Sequence, residues 1–445
     1  RMKRLLIITY YWPPSGGRGV QRCLKFAKSL PEFGWQPVFY TPQNPDFDIK
    51  DEGLLADIPK EAEIIKTKIW EPYQLYRTLT GNKGSNANFG MTGEKSKKSL
   101  MGHFSLWVRG NVFVPDPRVF WRRPSVRFLK KYIAENHVDA VVTTGPPHSM
   151  HLIGLGLKKA FPKLVWLADM RDPWSTFDIH NAFLSPSAKA KNAGLEKAVL
   201  EHADRVIMVS PSMYEEFQSF DNQKLVLITN GFDAEDFRGQ ALHSDKSKNK
   251  FCIKHSGLFN FIRNPENLWR ALEELCAENA AFAEKLSLEL TGNVDPLVRE
   301  SVAAFPVLKT KVNYRGWVSH EEVIAENAKA DLFLLIVNNS RNAKAQLPGK
   351  VFEYLALQKP ILAICPENAD VAKIIAETGA GASCPFEDKN RIKNTLLHIF
   401  EKWQKGESCD FKKEKIDAFS RKKLTEKLVG VLENLIFDSP EITKK

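Results

Sequence analysis

The sequence predicts an α/β protein built from two doubly wound parallel sheets. Three observations carry that expectation. Apolar runs of strand length alternate with helical patterns, the signature of βαβ units. A chain of 445 residues is too long for one ordinary core, so two domains of about 200 residues each are expected. A break at TNGFD, Thr229–Asp233, followed by the polar run HSDKSKNK, separates two such alternating series.

In the first series, strands are expected at Arg4–Thr9, Pro37–Tyr40, Ala140–Thr143, Leu164–Leu167 and Arg205–Val209. Helices are expected at Val20–Leu30, Pro124–Glu135, Met150–Ala160 and Ala188–Glu201. In the first of these, Val20, Cys23, Leu24, Phe26 and Ala27 recur at helical spacing. Asn44–Val119 interrupts the alternation and reads as a long insertion with a polar middle. The second series places strands at Phe251–His255, Ser287–Thr291, Val312–Tyr314, Leu332–Ile336 and Pro360–Ile364. Its helices are expected at Pro265–Glu278, Asp295–Phe305, His320–Asn327, Gly349–Leu357 and Ala369–Glu377. The domains expected are 1–225 and 226–417. Residues 418–445 form a helix and tail packing back towards the first domain, because Phe419, Leu424, Leu428, Val431, Leu432 and Leu435 share a helical face. Open parallel sheets bind ligands at the carboxyl ends of their strands, so the site is expected in a cleft where those edges face one another.

With 43% hydrophobic and 26% charged residues, the composition is that of a soluble globular protein and argues against wholesale disorder. The start RMKRLLIITYYWPP reads as a first strand and not a signal peptide, since Leu5–Trp12 is short and meets Pro13-Pro14 without a small-residue cleavage site. No run approaches the ~18 apolar residues of a membrane span. The six cysteines form no CxxC pair, which points to reduced thiols and a cytoplasmic protein. Charge is uneven: residues 1–225 hold 32 Lys and Arg against 22 Asp and Glu, and Arg77–Lys131 alone holds 12 against 2. That segment also carries Phe104, Leu106, Trp107, Phe113, Phe120 and Trp121, a mixture suited to an anionic membrane surface more than to nucleic acid. The plainer alternative is a solvated basic loop beside a core helix.

The stretch LPGKVFEYLALQKPILAI, Leu347–Ile364, puts Lys350 and Glu353 on one face at the start of a helix. Gly349 permits close backbone approach and Lys350 adds a charge for a phosphate, while Glu353 is acceptor-only and suits two neighbouring hydroxyls, as in a ribose. Arg263 lies at another strand-loop-helix junction, in SGLFNFIRNPENLWRAL, where it can fork onto a diphosphate. In the first series, PPSGGRGVQR supplies Gly16, Gly17 and Gly19 between the first strand and helix. This is not GxGxxG, and no P-loop GKS/T occurs, which disfavours a dinucleotide site or an ATPase.

The order of these features resembles a glycosyltransferase of the GT-B fold, with two Rossmann-like domains, close to glycosyltransferase family 4 of bacterial surface-polysaccharide synthesis. The resemblance rests on GGRG, ADMRDPW at Ala168–Trp174, TNGFD, SGLFNFIRN, LTGNV at Leu290–Val294, NYRGWVSHEEV at Asn313–Val323 and GKVFEYLALQKPIL. It implies that Arg263 and Lys350 hold a donor diphosphate, Glu353 the ribose, and Gly316, Trp317 and Val318 the base, with Gly17 and Gly19 towards the donor phosphates. The implied donor is a UDP-sugar, with a GDP-sugar as the alternative, and the implied reaction is retaining. One position departs from the family pattern: eight residues before Glu353, where a second Glu is expected to contact the transferred sugar, stands Ala345.

A sugar transfer needs the leaving diphosphate neutralised and the acceptor hydroxyl oriented and relieved of its proton. His148, Arg171 and Asp172 follow strand ends and are the expected catalytic residues. Their structural alternatives are a helix cap for His148 and an Asx turn with a packed Trp174 for Asp172. His151 is expected to be packed or solvated. Neither a metal nor another cofactor is expected; Asp46 and Asp48 have DxD spacing but lie far from the phosphate elements. The acceptor expected is lipid-linked or a polysaccharide at the inner membrane face. Rival readings are a sugar-nucleotide epimerase of the same fold and a catalytically silent nucleotide- or glycan-binding subunit.

Overall fold

The computed structural model describes residues 2–437 apart from 17, 46, 48–49, 73–106, 108–109, 177–183 and 240–248. The chain divides into two compact units, one of residues 1–229 with the chain from Leu424 on, the other Asn230–Lys423.

The first unit is a seven-stranded parallel sheet: β1 (Lys3–Ile8), β2 (Trp35–Pro42), β3 (Glu63–Thr67), β4 (Ala140–Gly145), β5 (Val165–Met170), β6 (Arg205–Met208) and β7 (Leu225–Leu227), ordered β3-β2-β1-β4-β5-β6-β7. The central strand reads KRLLII, without polar alternation, because helices cover both faces of the sheet. Successive side chains point to opposite faces, and the burial follows: Leu6 and Ile8 join one buried cluster with Trp166 and Leu152, while Leu5 and Ile7 join another with Leu24 and Trp35. Leu424, Leu428, Val429 and Leu432 of the terminal helix Arg421–Phe437 complete that second cluster.

The second unit repeats the plan with β8 (Phe251–Ser256), β9 (Leu286–Thr291), β10 (Val312–Arg315), β11 (Leu332–Ile336), β12 (Ile361–Ile364) and β13 (Gly381–Cys384), all parallel in the order β10-β9-β8-β11-β12-β13. Its switch point lies between β8 and β11, either side of which the crossovers run in opposite directions.

Three strands were not expected from the sequence. β3 lies inside the segment read as an insertion; it is an edge strand, EIIKT, in which Glu63 and Lys66 flank and mask the two isoleucines. β7 has three residues, and β13 reads GASC, with little β-propensity. The helices Pro211–Asp221, Ala280–Lys285, Lys389–Lys405 and Lys413–Asp417 were also missed. Five cysteines are buried and Cys409 is half-buried, all as free thiols. No helix among the described residues is long and apolar enough to cross a membrane.

Of the basic segment Arg77–Lys131, residues 77–106 and 108–109 lie outside the described residues, and the described remainder is less uniform than its composition suggests. Arg118 pairs at 2.9 Å with the fully buried Glu71, which also accepts from the Tyr10 hydroxyl. Trp121 is likewise buried, stacked on Tyr40 at 4.9 Å with its indole N–H on Thr67. Both are therefore withdrawn from any surface role.

Candidate functional site

In the second unit, the chemistry-bearing residues gather at the carboxyl ends of adjacent strands. β8 ends in His255-Ser256-Gly257. Gly257 has φ of 105°, a left-handed conformation, and its N–H bonds the Thr291 carbonyl at 2.7 Å. Gly292, after β9, is also left-handed at φ 108° and packs so tightly that a Cβ there would sit 2.6 Å from the Gly257 carbonyl oxygen. Two side-chain-free turns thus lie against one another, which brings Lys350 over Gly257: a Cβ on that glycine would lie 2.7 Å from Lys350 Nζ.

Lys350 opens the helix Lys350–Ala356, and its Nζ stands 3.3 Å from His255 Nε2. Buried His255 faces the Leu334 carbonyl through Nδ1 at 3.0 Å. Burial, and then the charge of Lys350, hold its imidazole well below the usual histidine range, with Arg263 acting in the same direction. Arg263 is itself buried; Nε donates to Asn338 Oδ1 at 2.6 Å and Nη1 to the Leu258 carbonyl at 3.0 Å. Asn338 follows β11, and its N–H donates to Gln346, which holds Ser340 in turn. Ala345 ends the short turn Arg341–Ala345 beside that glutamine.

Glu353 lies half-buried in the first turn of the Lys350 helix. Gly349 precedes it in ordinary right-handed conformation, φ −54°, so its backbone does not itself require glycine. Gly316 is open to solvent and Trp317 is 79% exposed, while Val318 is half-buried. Ser319 then starts the next helix with a capping box to Glu322. The loop is tied back by Gly292 N–H to the Arg315 carbonyl, and Arg315 pairs with Glu326. Glu326 also meets buried Lys254 at 3.3 Å, so a charge network braces the expected base loop from below.

In the first unit, the ends of β1, β4 and β5 converge. The Arg171 backbone N–H bonds the Gly145 carbonyl at 2.9 Å, and its guanidinium reaches the Gly145 and Pro146 carbonyls. The same guanidinium covers Gly19, where a Cβ would lie 2.6 Å from Nη1, and lies over the Tyr11 ring at 5.8 Å. Gly17 lies outside the described residues, as do Asp46 and Asp48. His148 stacks face to face on Trp174, centroids 4.7 Å apart and rings 3° from parallel, and Trp174 donates to Asn192 at 2.9 Å. The helix Ser149–Ala160 is capped not by His148 but by Asp116, which accepts from both the backbone N–H and hydroxyl of Ser149 at 2.9 Å. Asp172 is exposed beside this stack.

Below these turns lies Asp169, missed in the sequence although it stands in ADMRDPW. It accepts from Arg22 at 2.9 and 2.8 Å and from Thr144 at 2.9 Å. Burial alone would raise its carboxyl, but Arg22 holds it below its ordinary value. Arg22 spends its other N–H groups on the carbonyls of Ile228 and Thr229, at 3.0 and 2.8 Å. His151 is buried against Thr143, and burial pushes it down to about 3. Among the described residues no group of three or more histidines, cysteines and carboxylates is placed to hold a metal ion.

The family model described as Glycosyltransferase Family 4 matches residues 93–236. A probable glycosyltransferase, WbjE of Pseudomonas aeruginosa, is 26% identical over 211 residues, which is 46% of this chain and 51% of that protein. The chain thus spans about half the length of the curated relative it matches. Among solved structures, a sucrose-phosphate synthase from Thermosynechococcus elongatus superposes with a TM-score of 0.62 at 15% identity, covering 98% of this chain and 100% of its own. A UDP-forming trehalose-phosphate synthase from Burkholderia vietnamiensis gives 0.63 at 11%, with 98% and 100% covered. WaaG, a glycosyltransferase of lipopolysaccharide biosynthesis, gives 0.54 at 14%, with 96% and 99% covered. At these identities the likeness shows the fold, which is that of the GT-B glycosyltransferases.

Proposed function

We propose that the chain is a nucleotide-sugar-dependent glycosyltransferase that binds its donor on the second unit. The observation that carries this reading is the pair of cations, half-buried Lys350 and buried Arg263, grouped around His255 at the glycine turn ending β8. Two positive charges at one turn suit a diphosphate, and they would neutralise it as it leaves. Glu353 is assigned to the ribose hydroxyls and the Gly316-Trp317-Val318 loop to the base, which an exposed indole can cover by stacking. A UDP-sugar is the favoured donor, by analogy with the UDP-forming synthase of the same fold.

On the first unit, Arg171, His148 and Asp172 are assigned to the acceptor hydroxyl. Arg171 is fixed by two carbonyls and His148 by the Trp174 face, so both present set geometry to a substrate, while exposed Asp172 is the base candidate. Retention of configuration follows the family resemblance. The acceptor is assigned as lipid-linked or polysaccharide, reached at an anionic membrane face. What supports this is the helix Arg122–Glu135, where exposed Arg123, Arg127, Lys130 and Lys131 accompany exposed Phe128, and Phe120 just before it meets Trp70 edge-on at 4.9 Å.

Calorimetry tests the donor assignment. Lys350→Ala and Arg263→Ala should each weaken UDP or GDP binding by about 1.5–3 kcal/mol, the range for hydrogen bonds to charged groups. Unchanged affinity in both folded variants would refute it. Because two side-chain cations are assigned to the diphosphate, saturating EDTA should leave initial transfer rates nearly unchanged. Loss restored by magnesium or manganese would send the charge-neutralising role to a metal.

A further inference from the structure

We propose that His255 is a positioning residue for Lys350, its Nε2 accepting a hydrogen bond from the ammonium and so holding that charge over the Gly257 turn. The inference rests on the donor reading above and adds to it the group that sets the lysine in place.

The imidazole is fixed before any ligand arrives. It is 1% exposed, its Nδ1 lies 3.0 Å from the Leu334 carbonyl of β11, and the Phe259 ring packs on it at 4.8 Å. A carbonyl can only accept, so the Leu334 contact assigns the ring proton to Nδ1 and leaves Nε2 its lone pair for the lysine, with the Leu258 carbonyl also bonding this ring. The Lys350 ammonium, which can only donate, stands 3.3 Å from that lone pair. Gly257 lies against the same lysine, where a Cβ would come within 2.6 Å of Lys350 Cε. An acceptor at its tip and a missing side chain beside its stem give the ammonium room over this turn. Protonation of His255 would turn the acceptor into a second cation, and the depressed basicity of this imidazole keeps it neutral. A lysine stem rotates freely in solution, so one held in advance reaches a diphosphate without ordering itself during binding.

The alternative is that His255 merely fills space, and the two roles differ in what a substitution does. His255→Phe keeps a ring of similar size without the acceptor; His255→Gln returns an acceptor near the Nε2 position. Titration of the full chain with UDP and GDP should show His255→Phe about tenfold weaker, the loss of one charge-assisted hydrogen bond, and His255→Gln recovering most of that. On a Lys350→Ala background, His255→Phe should change affinity less than about twofold, since the two residues act through one contact. Equal losses in both backgrounds, or a full-affinity His255→Phe beside a weakened Lys350→Ala, would overturn the positioning role and leave the donor assignment standing. Full affinity in Lys350→Ala would remove the donor assignment and this inference with it. Long-range nitrogen–proton NMR on the unsubstituted protein gives a reading independent of how the variants fold: the Nδ1–H tautomer is expected for His255, and the Nε2–H tautomer would overturn the proposal.

Discussion

Replacing Gly257 by alanine would perturb the second unit at its tightest turn. At φ 105° the residue occupies the left-handed region, which an L side chain enters at a cost of about 1–2 kcal/mol. The new methyl would lie 2.6 Å from Lys350 Cε and 2.7 Å from Nζ. Carbon atoms pack at about 3.5–4.0 Å, so something must move by about an ångström. The backbone here is held by the Thr291 carbonyl, whereas the lysine end is a flexible tip, so the tip moves. Stability should therefore fall by only about 1–2 kcal/mol, while UDP or GDP affinity falls by about 1.5–3 kcal/mol as the ammonium leaves its place. Gly292→Ala is the comparison: its methyl would strike the Gly257 carbonyl oxygen and carbon at 2.6 and 2.9 Å, backbone with no tip to swing, and the loss of stability should be larger. Urea unfolding and calorimetry read the two quantities separately. A folded Gly257→Ala protein binding both nucleotides within about twofold of the parent would refute the reasoning, because that is far less than one charged hydrogen bond.

Acid should destabilise the fold before its carboxylates titrate. His151, held at about 3, stays neutral when folded, while the unfolded chain takes up a proton below about 6.5; its contribution is present above that pH and is lost as pH falls, at about 1.4 kcal/mol per pH unit. His255 is depressed in the same direction and adds to the slope, so unfolding free energy that stays flat from pH 7 to 5 would contradict both environments. On anionic phosphatidylglycerol vesicles, sedimentation should show binding that declines with salt and is largely lost when Arg123, Arg127 and Lys130 are reversed to Glu, each basic residue being worth about 1 kcal/mol near such a surface. Equal binding to neutral vesicles would return this helix to the role of a solvated face.

What was legible in the chain was whatever local pattern dictates. Runs such as LFLLI and KRLLII can only be strands buried on both faces, and the glycine after β8 marks a turn whatever it binds. Lys350 and Glu353 could be placed together because three residues along a helix are neighbours by geometry. The elements missed were those whose signal is not local. The GASC strand is a strand because Ile361–Ile364 lies beside it, and EIIKT because β2 does. His255 gave no sign of its role, since one histidine in a strand is usually packing; only the fold brings Lys350, 95 residues later, to its Nε2. Arg22 and Asp169 are 147 residues apart, and their pairing turns a basic residue of an amphipathic helix into a fully buried one. Within Arg77–Lys131, composition could not separate Arg118 and Trp121, which the core claims, from the ridge that faces water.

The terminal helix has a consequence for how the protein is made. Leu24 and Trp35, near the beginning of the chain, share their cluster with Leu424, Leu428, Val429 and Leu432. During synthesis the first sheet therefore waits with one face only partly covered while the whole of Asn230–Lys423 is being added, and that second unit contains its own core and can close meanwhile. The earlier unit is the later one to finish. An interrupted chain lacking the last helix would present an apolar strip across β1 and its first helix, and would be a client for chaperones or aggregation even with every strand of both sheets in place.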